Sequence, residues 1–155
     1  MRFLALLCCA AVATGCSKSE QPPAQDTTAV VTPPPPAPIA LADVAGTWTV
    51  RSMAEGSDSV LVTTTMVATA DTAGWSITFP GRAKPVPSRV VEVAGDSVTT
   101  ETGPYESVLR KGVRVTTHSV MRLKDGKLIG TTVAHYSTTG ADSVLRLHTE
   151  GTRVP

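Results

Sequence analysis

Residues 113–155 read VRVTTHSVMRLKDGKLIGTTVAHYSTTGADSVLRLHTEGTRVP, and their alternation decides the fold. Asp125-Gly126 is a two-residue hairpin signal, because both central positions of the matching turn need a positive φ that these residue types tolerate. It sets Lys124 opposite Lys127. A second loop, centred on Gly140-Ala141, sets Thr139 opposite Asp142. On that register one face carries Val113, Val115, Met121 and Leu123, then Leu128, Ala134 and Tyr136, then Leu145 and Leu147. The other carries Arg114, Arg122, Lys124, Arg146 and Glu150. A slip of one residue would turn every side chain to the opposite face, so apolar and charged groups sorting across both turns argues for three antiparallel strands. The apolar face also holds Thr117, Ser119, Gly130, Thr132, Thr149 and Gly151. Such small and hydroxylated inner positions leave space for a modest cavity or for side chains from an opposite wall.

Upstream, the same chemistry continues to Asp43. Residues 43–155 contain 19 Thr and 17 Val, about a third of the segment in two β-branched types. These side chains are stiff at χ1 and suit a pleated surface better than a helix. Turn signals cut the segment into strand candidates at 47–53, 59–69, 75–79, 89–93, 97–102, 113–124, 127–137 and 143–152, with a further short piece at 105–109. The phrase Gly-(x)-Asp-Ser-Val recurs at Gly56, Gly95 and Gly140, where glycine supplies positive φ and Asp caps the turn. Eight strands with brief connections predict an all-β fold, a small antiparallel up-and-down barrel. A β-sandwich is the alternative, since it uses the same alternation.

Ahead of the strands, residues 17–42 contain seven of the twelve prolines, including the run Pro33 to Pro36. Proline lacks an N–H and fixes φ, so this stretch favours polyproline II and reads as a spacer. Its 26 residues reach on the order of 80 Å if extended at about 3.1 Å each. Before it, Arg2 and the ten apolar or small residues 3–12 match the charged and hydrophobic regions of a signal peptide. The run is too short for the roughly 20 residues a membrane-spanning helix needs. Ala13-Thr14-Gly15-Cys16 follows and resembles the lipobox of bacterial lipoproteins. That resemblance implies cleavage between Gly15 and Cys16, lipidation of Cys16 and an outer-membrane anchor facing the periplasm, Ser17 standing where an inner-membrane retention signal would be Asp. The domain expectation is therefore a signal peptide at 1–15, a lipid anchor and tether at 16–42, and a barrel at 43–155. Cys8 and Cys9 leave with the signal peptide, so the mature chain has no free thiol and no disulfide partner. Lys and Arg number 14 against 13 Asp and Glu, which gives no basic footprint for nucleic acid.

At the head of the barrel segment stands Gly46-Thr47-Trp48, and at its far end Arg153 shares the inner face of Leu145 and Leu147. This resembles the lipocalin and calycin arrangement, in which a first-strand Trp is covered by a basic side chain from the last strand. The resemblance implies a cation–π contact between Trp48 and Arg153 that closes the barrel and plugs one end. Ligands would then enter at the other end, over Tyr136, Ala134, Met121, Val115 and Leu147 as candidate lining residues.

Three further constellations carry chemistry in principle. His118, His135 and His148 share one face, with His118 and His148 both opposite Val133, which makes them weak metal candidates. His118 and His148 flank an intervening strand, and arginines on that face oppose a cation, so solvated surface histidines are the favoured reading. The loop at 80–88 (PGRAKPVPS) carries Arg82 and Lys84 and is a candidate anion-binding rim. No nucleophile elbow, phosphate loop or paired carboxylates occur, so no catalytic residue and no cofactor are assigned. The functional expectation is an envelope lipoprotein, not an enzyme, whose barrel binds a small apolar ligand or an envelope partner. A structural module with a filled core is the alternative.

Overall fold

A computed structural model describes residues 38–155 of the chain. Gly15, Cys16 and most of the proline-rich stretch lie outside the described residues. Eight strands follow one another: β1 (Gly46–Ala54), β2 (Val60–Ala68), β3 (Ser76–Thr78), β4 (Val86–Ala94), β5 (Ser97–Glu106), β6 (Arg114–Lys124), β7 (Lys127–Tyr136) and β8 (Val144–Arg153). Each pairs antiparallel with the next, and β8 pairs back onto β1. The sheet is a closed up-and-down barrel, not two stacked sheets. A one-turn helix, α1 (Leu41–Val44), precedes β1, and a 3-10 turn (Ala141–Ser143) precedes β8.

The β6–β7 hairpin has the expected register, with Lys124 opposite Lys127 and positive φ at Asp125 (51°) and Gly126 (74°). The β7–β8 register differs from the expected one by two residues. Ala134 faces Leu145, and the last pair is His135 with Val144. The cause is the turn: Gly140 at φ 91° opens a 3-10 turn in which the Ser143 N–H and hydroxyl both donate to its carbonyl. That structure uses up residues a tight hairpin would have paired. An even shift leaves every side chain on its expected face. Val115, Leu128, Thr132, Ala134, Tyr136, Leu147 and Thr149 are accordingly all buried.

Two other boundaries move. Val86–Ser88, expected in a loop, opens β4; Pro87 is tolerated there because the start of a strand can spare an N–H. The short piece expected at 105–109 pairs only through Tyr105 and Glu106, which extend β5 past a bulge. Beyond them the Ser107 hydroxyl accepts from the N–H groups of Leu109 and Arg110 and turns the chain away.

The barrel interior is graded from end to end. At the end where β1 begins, Val44, Trp48, Met66, Ala68, Trp75, Val98 and Leu128 form the main core, and Ile39 and Leu41 pack against it. At the far end a smaller cluster joins Val115, Ala134 and Tyr136. Gly130 lets β7 lie close against β6 between them, since a Cβ there would collide with the Val120 carbonyl on β6.

Candidate functional site

The end of the barrel at which β1 starts is plugged. Trp48 is fully buried, and its indole N–H donates to the Val44 carbonyl at 2.8 Å, which holds α1 across the opening. The Arg153 guanidinium lies 4.4 Å from the Trp48 ring centroid. It also donates to the carbonyls of Asp43 and Ala45, tying β8 to the segment that precedes β1. Gly46 is required beside it: a Cβ at that position would meet the guanidinium, and its φ is 141°. The backbone N–H of Ile39 donates to the Gly95 carbonyl at 2.8 Å and closes the remaining side.

From the middle of the barrel to the other end runs a cavity of about 70 Å³. That is room for a short file of on the order of five waters, or for a slender chain in their place. Val115, Met121, Ala134, Tyr136 and Leu147, the five residues singled out from the sequence, all lie on its wall. So do Phe79, Tyr105, Val108 and Leu109, which the sequence reading did not single out. Phe79 and Tyr105 stack with centroids 4.6 Å apart. Burial pushes the Tyr105 phenol up to about 12, against a lowering influence from Thr117 and Arg82, so the group stays neutral.

Two arginines sit at the mouth. Arg82 comes within 5.9 Å of the Phe79 ring centroid and 5.8 Å of that of Tyr105, and donates to the Glu106 carbonyl. Arg110 stacks 3.9 Å over Tyr136 and donates to the Asp142 carbonyl, joining the β5–β6 connection to the β7–β8 connection. Lys84, the other candidate for an anion-binding rim, is exposed. No local pattern marks Arg110, since its partners, the Tyr136 ring at the end of β7 and the Asp142 carbonyl just beyond it, lie about thirty residues away in sequence.

The histidines lie on the outer face. His118 is opposite Val133, but His148 is opposite Thr131, a consequence of the two-residue shift at the β7–β8 turn. His118 and His135 meet edge to face at 5.6 Å. His118 Nε2 is 3.6 Å from a Glu101 carboxylate oxygen, and His148 Nε2 is 3.5 Å from one of Glu150. Among the described residues no three metal-ligating side chains converge closely enough to hold an ion.

Fold and site together define a closed eight-stranded antiparallel β-barrel with one plugged end and a cavity reaching the other. No protein-family model matches the chain, and neither does any curated protein or solved structure.

Proposed function

We propose that this chain is a lipid-anchored protein of the bacterial envelope whose lipocalin-like barrel holds a small apolar ligand without transforming it. The observation that carries the reading is the cavity. It is walled mainly by hydrocarbon and aromatic side chains and opens at the end opposite the Trp48–Arg153 plug. Concave apolar sites with a few polar groups are the usual form of small-molecule binding sites. The lipobox-like Ala13-Thr14-Gly15-Cys16 supports an anchor through Cys16, and the proline-rich stretch after it supports a stalk. With two or three acyl chains, the stabilisation of about 0.8 kcal/mol per buried methylene makes such an anchor lasting. Facing the periplasm from the outer membrane, the barrel would carry its ligand, or present it to an envelope partner, at a distance from the lipid headgroups.

Native mass spectrometry of the protein extracted from its own envelope tests this. Retention of a low-molecular-weight apolar molecule in stoichiometric amount is the expected result. A barrel found consistently empty would overturn carriage in favour of a structural module, a reading to which the modest cavity volume lends some weight.

A further inference from the structure

The cavity wall carries no charged side chain, yet it is far from uniformly apolar. Eight serine and threonine residues contribute to it. Strand register places several of them on two adjacent inward rungs. Thr149 pairs with Ser52 on one side and Gly130 on the other, Thr132 pairs with Ser119, and Ser119 pairs with Thr100. These hydroxyls form a belt around the middle of the barrel. Leu147 lies level with Thr132, and nearer the mouth the same strands present Ala134, Tyr136 and Val115. The hydroxyls therefore form a band, with Val50, Met66 and Met121 deeper and most of the apolar mouth above it.

Within the belt, the Ser119 and Thr132 hydroxyls are 2.8 Å apart and satisfy one another. Thr149 is different. Its residue is 5% exposed, and its hydroxyl is the one buried side-chain polar atom among the described residues with no hydrogen-bond partner. Its cross-strand neighbour Gly130 puts no side chain over it. A buried donor left unmatched is costly, and a native barrel that retains one beside a cavity has a use for it.

We infer that the cavity takes a slender molecule bearing one uncharged hydrogen-bond acceptor, such as a ketone, ester or lactone carbonyl, which enters head first and accepts from the Thr149 hydroxyl. This rests on the carriage reading above and specifies its ligand class. The hydrocarbon part then lies under Tyr105 and Tyr136. A carboxylate or ammonium head is disfavoured, because the wall offers no opposite charge and burying an unpaired ion costs more than burying a neutral dipole. The volume of about 70 Å³ takes the head and first few carbons of an unbranched chain, whose tail extends through the mouth, and disfavours a branched or polycyclic ligand.

The test uses the full chain in lipid nanodiscs, titrated with 2-heptanone, heptane and heptanoate, for the wild type, Thr149→Val and Thr149→Ser. Partitioning into the nanodisc is common to all three proteins and cancels in the comparison. Valine matches threonine in shape and serine keeps the hydroxyl, so loss in the first with rescue in the second does not report misfolding. The expected result is 2-heptanone binding about five- to tenfold weaker in Thr149→Val than in the other two, with heptane binding equally to all three. Equal affinity for ketone and alkane in the wild type, or unchanged ketone affinity in Thr149→Val, would overturn the head-group assignment and leave carriage standing. Preference for heptanoate would overturn the uncharged class. Binding of none of the three probes would remove both this assignment and carriage.

Discussion

Trp48 and Arg153 show how two residues at opposite ends of a domain can act as one joint. The indole contributes buried area and one hydrogen bond, while the guanidinium contributes a cation–π contact and two bonds to carbonyls ahead of β1. Truncating the indole leaves a void in the main core, whereas truncating the guanidinium leaves the core filled. Trp48→Ala should therefore lower unfolding stability by about 3–5 kcal/mol and Arg153→Ala by about 1–2 kcal/mol in urea titrations. Equal losses would mean that the plug owes more to charge than to packing. Tyr105 supplies a pH test at the other end. Its folded pKa is raised to about 12 by burial, against an ordinary value near 10. Between those two values the unfolded chain releases the phenolic proton and the folded one keeps it, so stability falls as pH rises through that window. Below pH 10 the contribution is fully present. Replacing Tyr105 with Phe should flatten this part of the alkaline profile, measured as melting temperature against pH. An unchanged slope would assign the alkaline loss to other groups.

At the scale of elements, the wall is uneven. The β6–β7 pair spans ten residue pairs, but β3 offers only three pairs to β2 and two to β4. Opening free energies within one fold follow the local density of packing and hydrogen bonding. Amides of β3 (Ser76–Thr78) should therefore exchange with solvent well before those of β6 and β7 in hydrogen-exchange mass spectrometry. Simultaneous exchange would show that the barrel opens only as a unit. The same unevenness governed what could be read in advance. Hairpin chemistry at Asp125-Gly126 is local, so the β6–β7 register was legible, and parity then sorted inside from outside for the last three strands. The β7–β8 register was two residues out because a 3-10 turn at Ala141–Ser143 has no distinctive residue signature. Prolines at positions 85 and 87 obscured the start of β4, since their missing N–H groups read as loop. Arg110 was not legible at all, because stacking on Tyr136 depends on how the β5–β6 connection meets the end of β7. The aromatic side of the mouth, Phe79 with Tyr105, was missed for the same reason.

For the whole molecule, the anchor assignment and the barrel make separable demands. Replacing residues 1–16 by a secretory signal peptide that is cleaved without lipidation should move the protein from the membrane fraction to the soluble periplasmic fraction without altering the thermal unfolding of the barrel. Persistence in the membrane after that replacement would refute a lipid anchor at Cys16. The placement of the two ends of the folded segment has a mechanical consequence. The chain enters at Ile39 and leaves at Arg153 on the same rim, and β1 and β8, which carry those ends, are antiparallel neighbours. Tension applied between the two ends therefore pulls the rungs of the β1–β8 ladder apart singly instead of loading them in parallel. The Trp48–Arg153 clasp meets that force first and acts as a mechanical fuse.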